Sequence, residues 1–163
     1  MAQTQDAVSQ SNFQVQVSLD GTAWTDISGN ATAISTSGGE QQIGSVNTAD
    51  GDAAIVTPSQ KYGPTDFTIS IVYTKTTGEA FDIVMTQWES NDKSIYMRYA
   101  PEGGIGAVAG NDLFTLSDAN DAAFKAPIVS ILPPNLDTSS GAPAIAQFTV
   151  KAPKATRSKT VAA

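Results

Sequence analysis

Few residues in this chain have the types and spacing to do chemistry. Asp118-Ala119-Asn120-Asp121 starts like a calcium-binding loop. Such a loop needs glycine at its sixth position for the sharp turn and a bidentate glutamate at its twelfth. Ala123 and Val129 stand there instead, so the EF-hand reading fails. Asp50-Gly51-Asp52 is a second acidic turn, read as a flexible loop rather than a cation site. Gly104-Ile105-Gly106-Ala107-Val108-Ala109 has the glycine spacing of a dinucleotide loop, but no capped helix follows it and no βαβ unit surrounds it. Asp82 and Glu89 are the nearest thing to paired carboxylates for acid–base work. They lie seven residues apart on the polar side of an expected helix, where solvated charge is the simpler reading. Asn30-Ala31-Thr32 is a formal glycosylation acceptor that has meaning only on a secreted chain.

The 163 residues include no cysteine and no histidine. Thiol nucleophiles, disulfides, Cys/His zinc sites and Ser-His-Asp triads are thereby excluded. No catalytic constellation and no cofactor motif is expected. Hydrophobic residues make up 40% and charged residues 15%, which fits one folded domain better than a coiled coil or a disordered chain. Met1 to Asn12 lacks the cationic start and apolar stretch of a leader, and no apolar run approaches ~18 residues, so no membrane segment is expected.

Charge is unevenly placed. Residues 1–150 carry eleven more acids than bases, whereas residues 151–163 carry four bases and no acid. The acidic body should repel nucleic acid. Residues 153–163 are read as a basic C-terminal arm, with Lys151, Lys154, Arg157 and Lys159 available to an acidic neighbour. The alternative is a solvated, frayed end.

The elements that must position these groups are mostly strands. Phe13, Val15, Val17 and Leu19 alternate with polar residues, and Asp20-Gly21 marks a reversal. Ala31–Ser35 reads as a second strand. Phe67, Ile69, Ile71 and Tyr73 give the strongest alternation in the chain. Thr76 and Glu79 have the spacing of a capping box. They open a helix of roughly 12 residues, about 18 Å long, with Phe81, Val84, Met85 and Trp88 on a core-facing stripe. Ile95–Tyr99, Phe114–Leu116, Ala123–Leu132 and Ile145–Val150 complete a tally of seven strands and one helix. The fold class is mainly β (α+β): an antiparallel sandwich or half-barrel with one packed helix, in a single domain spanning residues 1–152.

Residues 38–64 break this pattern. Glycines and prolines punctuate the stretch, and only short apolar runs lie between them. It reads as a long mobile projection, a loose hairpin at most. Ile43, Val46, Ile55, Val56 and Tyr62 call for burial that a lone loop cannot supply, while Asp50 and Asp52 mark its turn.

The run Val17-Ser18-Leu19-Asp20-Gly21-Thr22-Ala23-Trp24-Thr25-Asp26-Ile27 resembles the opening of the tail tube (major tail) proteins of tailed phages. The order of elements is also similar: hairpin, long loop, strong strand, one amphipathic helix, then "SIYMRYAPEGG" from Ser94 and "AIAQFTVKA" from Ala144. The likeness extends over residues 13–152. It implies a structural protein of the virion tail, made in the host cytoplasm, whose rings (usually of six subunits) stack into a tube. Residues 38–64 would be the loop that joins ring to ring, and the C-terminal segment an interface arm. The implied partners are other copies of itself, the tape-measure protein, tail-end proteins, and double-stranded DNA passing without sequence-specific contact. No membrane partner is implied. Three rivals remain. One is a carbohydrate- or cell-surface-binding module with Trp24 and Trp88 as stacking platforms. Another is a small two-carboxylate hydrolase. The third is a tube protein of a contractile tail or injection machine.

Overall fold

A computed structural model describes residues 7–162. After a 3-10 turn at Gln10–Asn12 come β1 (Gln14–Ser18), β2 (Thr25–Asp26), β3 (Ala31–Gly38), β4 (Gln41–Val46), β5 (Ile55–Tyr62) and β6 (Thr65–Val72). Helix α1 (Ala80–Glu89) precedes β7 (Ser94–Ala100), β8 (Asp112–Ser117), β9 (Ala126–Leu132), β10 (Ile145–Ala152) and β11 (Lys154–Lys159). All strand pairings are antiparallel. The main sheet runs β11-β8-β7-β9-β10-β6-β3, with β1 joined to β7 and β2 joined to β1. The fold is therefore the expected β-rich α+β sandwich, and its sheet does not close into a barrel.

Two devices fold the sheet over on itself. Strand β7 starts by pairing with β9 through Ser94 and Ile95, then pairs with β8 through Arg98 and Tyr99. Strands β10 and β11 are nearly continuous around Pro153. Up to Ala152 the chain pairs with β6, and from Lys154 it pairs with β8. A strand that changes sheets at a bend makes the corner of a sandwich.

The period-two pattern decides which faces meet. Val15 and Val17 of β1, Phe67, Ile69 and Ile71 of β6, Ile95 and Met97 of β7, and Ala146, Phe148 and Val150 of β10 are all buried in one cluster. Each fully buried aliphatic or aromatic side chain contributes about 1.5–3 kcal/mol relative to exposure. Phe67 reaches across to Tyr99 (ring centroids 6.4 Å apart), which stacks on Phe114 at 5.3 Å. Leu19 and Tyr73, expected on buried faces, are 49% and 36% exposed because each lies just beyond the paired part of its strand.

The helix follows the expected register with a different start. Glu79 is its N-cap residue and makes no capping bond with its side chain. Its carboxylate accepts instead from the Thr74 hydroxyl and from Asn30 Nδ2, tying the helix entry to the body. Asp82 Oδ2 accepts from the Gly78 N–H at 2.8 Å. The Thr76/Glu79 capping box is thus replaced by tertiary partners, and the helix is 10 residues long. Val84 is buried, Phe81 and Trp88 are half-buried against the core, and Met85 is half-buried along a groove beside Tyr73.

The described residues form eleven strands where the sequence suggests seven. The additions are the two-residue β2, the pair β4–β5, and β11.

Candidate assembly interface

Residues 38–64, expected as a mobile projection, contain an antiparallel hairpin. Its strands β4 and β5 pair only with each other, as a separate two-stranded sheet. The hairpin leaves the body at two adjacent points. Gly38 and Gly39 both adopt positive φ, and a Cβ on Gly38 would lie 2.5 Å from the Pro64 carbonyl oxygen. Glycine is therefore required at this pivot. The Gly39 N–H donates to the Pro64 carbonyl and the Gly63 N–H to the Glu40 carbonyl, closing the base of the hairpin. Pro58 sits in β5 opposite Ile43. A proline is tolerated there because each strand of the pair has a free edge.

Ile43, Val46, Ile55, Val56 and Tyr62 are between 53% and 67% exposed. Asp50 and Asp52 lie in the exposed turn between β4 and β5. Among the described residues these apolar side chains stay more than half exposed, the kind of surface that marks an interaction site.

The C-terminal segment behaves differently. The expected arm at 153–163 is largely strand β11, paired residue for residue with β8 from Lys154↔Ser117 to Lys159↔Asp112. Its cations find acids within the same chain. Arg157 Nη2 and Lys159 Nζ both reach the Asp112 carboxylate, at 2.7 and 2.6 Å, and Lys154 Nζ reaches Asp121 at 2.7 Å. Lys151 Nζ lies 3.2 Å from Asp66, its cross-strand partner on β6. The hydrogen bond from Arg157, and then that from Lys159, lowers the Asp112 pKa from 3.8 to about 2. The local acids capture this segment because β8 supplies both a free strand edge and Asp112 at its first position.

Between these two regions lies an open groove of about 710 Å³. Phe67, Tyr99, Phe114 and Pro153 form its apolar lining, with Gly39 and Tyr62 at the hairpin end and Lys154 and Ala155 at the β11 end. It opens between β3 and β11, the two ends of the main sheet. The sequence signals strands around these residues but not that two unpaired ends leave a gap. Pro153, which cannot donate to a strand ladder and so marks a break just after β10, was the available clue.

Other sequence candidates resolve into structural roles. Asp118 Oδ1 accepts from the Asn120 and Ala122 N–H groups, and Asp121 is held by Lys154 and Thr156, so that loop stabilises itself. Asp20 caps its own turn. The Thr22 and Ala23 backbone N–H groups hold its pKa well below the usual carboxylate range. Trp24 has the Arg98 guanidinium 4.1 Å from its ring centroid, and Trp88 has Lys93 at 5.0 Å. Arg98 is fixed further by two hydrogen bonds to Gln16 Oε1. Among the described residues, no group of three or more His, Cys, Asp or Glu side chains is placed to hold a metal ion, and no helix is long and apolar enough to cross a membrane.

No protein-family model and no curated relative matches the sequence. Solved structures do match over nearly the whole chain. A chain of the anti-feeding prophage baseplate has TM-score 0.65 at 12% identity, covering 96% of this chain and 97% of that one. A chain of the sheath–tube complex of the extracellular contractile injection system PVC has TM-score 0.61 at 16% identity, covering 93% and 91%. A chain of the tail of a gene transfer agent particle has TM-score 0.61 at 11% identity, covering 95% and 100%. This chain shares its overall fold with those three chains.

Proposed function

We propose that this chain is a structural subunit of a phage-type tail tube, assembling with copies of itself into stacked rings. The observation that carries the proposal is the hairpin β4–β5, whose apolar side chains are exposed although the body around them is well packed. Such a projection is explained by a second copy that covers it. The similar structures are of assemblies, and two of them are described with sixfold or C6 symmetry, which supports rings of six. The same likeness supports a non-enzymatic role in a virion or particle, with tail-end proteins as further partners.

The finer functional reading follows from this one. The tube encloses the tape-measure protein and later conducts double-stranded DNA during genome ejection. The net charge of −7 suits a wall that DNA passes without being held. The likeness to a chain of a contractile injection system admits a contractile setting beside the non-contractile one. The carbohydrate-binding alternative loses its platforms, because cations already lie against the rings of Trp24 and Trp88.

Sedimentation velocity across a concentration series tests the proposal. Large species should grow at the expense of the 16.9 kDa monomer as concentration rises. A single monomeric boundary at every concentration contradicts it.

A further inference from the structure

The chain contains two Asp-Gly bonds, Asp20–Gly21 and Asp50–Gly51. Such a bond can close on itself, because glycine has no Cβ to crowd the approach of its nitrogen to the preceding carboxyl. The glycine nitrogen attacks the aspartate Cγ. An N–Cγ bond forms, the Cγ–OH bond breaks, and the proton of the nitrogen leaves with that hydroxyl as water. The product is a five-membered succinimide. Water then adds to the main-chain carbonyl of the ring and breaks its bond to nitrogen, so that the chain runs on through Cβ and Cγ as isoaspartate. One water leaves and one returns. Mass and charge are unchanged, and no oxidant, cofactor or enzyme takes part. Ring closure needs a protonated carboxyl, a backbone N–H that is not tightly held, and freedom to rotate.

Asp20–Gly21 meets none of these needs. Asp20 Oδ1 accepts from the Thr22 and Ala23 N–H groups at 2.8 and 2.9 Å and from the Ser18 hydroxyl at 3.0 Å. Hydrogen bonds to the ionised form keep the carboxyl in the state that does not react. The attacking nitrogen is held as well, since the Gly21 N–H donates to Ser18 Oγ at 2.9 Å, and Ser18 is buried. Gly21 lies with positive φ against the Tyr96 ring, which limits its movement.

Asp50–Gly51 is the opposite case. It lies in the turn between β4 and β5, beyond their last pair Val46↔Ile55, and residues 47–54 are all exposed. Among the described residues, no hydrogen bond or ion pair holds the Asp50 carboxylate. The Gly51 N–H reaches only the Thr48 carbonyl, at 3.3 Å, longer than the ~2.9 Å typical of such bonds. We propose that Asp50–Gly51 is a site of spontaneous isomerisation to isoaspartate in the folded chain, whereas Asp20–Gly21 is protected from it. The inference is independent of the assembly reading.

The full chain is held in mildly acidic buffer below its melting temperature, and samples are digested with trypsin over time. Lys61 is the first basic residue of the chain, so both Asp-Gly bonds fall in one tryptic peptide. Electron-transfer fragmentation of that peptide tells aspartate from isoaspartate at each position. Isoaspartate should build up at Asp50 at least about tenfold faster than at Asp20, because freeing even one hydrogen bond to a charged group costs that much in rate. In chain unfolded by denaturant the two rates should converge. Gly51→Ala should slow the reaction at Asp50 several-fold. Its Cβ would lie 2.8 Å from Thr48 Oγ1, the end of a flexible side chain, so the variant should fold. Equal rates at the two sites in the folded chain would overturn the proposal. So would an Asp50 that stays aspartate while the unfolded chain reacts, or a Gly51→Ala rate equal to that of the unmodified chain.

Discussion

The hairpin β4–β5 and the strand β11 flank the same groove, and from sequence each looks like a segment in search of a partner. They differ in where the partner is. The cations of β11 meet Asp112 and Asp121 of their own chain, and the strand completes one end of the main sheet. The aliphatic side chains of the hairpin stay more than half exposed, on strands that pair only with each other. Charge can be satisfied locally by one well-placed acid. Apolar area needs a surface, and the body has already turned its apolar surface inward. A segment's composition therefore states what it needs, whereas the fold around it states whether the need is met inside or outside the chain.

The largest expected effect separates the two regions outright. Deleting residues 40–62 should abolish assembly and leave the melting temperature of the body within a few degrees, because the hairpin shares no strand pairing with the main sheet. Assembly of normal species by the deletion chain, or collapse of its fold, would erase the contrast. Within the body, Trp88→Ala should cost about 2 kcal/mol. That is less than the ~3–5 kcal/mol of a fully buried aromatic, because the indole is half-buried under Lys93. Chemical denaturation reads this value, and no change would remove Trp88 from the helix–sheet contact.

A smaller effect probes β11. Asp112→Asn should leave the body folded while amide exchange quickens across residues 154–159, since both Arg157 and Lys159 lose their carboxylate. Acid should act in the same way. The Asp112 pKa is lowered on folding, so its contribution is complete above about pH 4. That contribution declines as pH falls from 3.8 toward about 2 and is absent below it. NMR amide shifts of β11 that stay flat across that interval would show that the Asp112 pairing does not hold the strand. The smallest effect is at the helix start. Thr76→Ala should change stability by less than ~0.5 kcal/mol, as expected for a surface residue with no capping role. A loss near 1 kcal/mol would restore the capping box.

The sandwich was legible because alternation is a direct imprint of one-sided burial. Phe67, Ile69 and Ile71, and likewise Ala146, Phe148 and Val150, point inward where the pattern places them. The segments that escaped notice lack that imprint for physical reasons. Strand β11 is Lys-Ala-Thr-Arg-Ser-Lys, and only Ala155 packs against the core, so the free edge of β8 sets its conformation rather than its own periodicity. The hairpin strands are interrupted by Gly44 and Pro58 and mix aliphatic with polar residues on both faces, Ser45 on one and Thr57 on the other, a pattern that gives no clean period-two signal. Glu79 has the spacing of a cap, but Asn30 and Thr74 draw its carboxylate away, which no local spacing encodes. Of the candidate interface, the exposed apolar residues were readable. The groove was not, because its lining comes from residues far apart in the chain.

Electron microscopy of the purified, concentrated chain tests the central claim most directly. Hollow tubes or stacked rings with a central channel are the expected result. Only small, separate particles at every concentration, with residues 40–62 intact, would contradict a tube subunit.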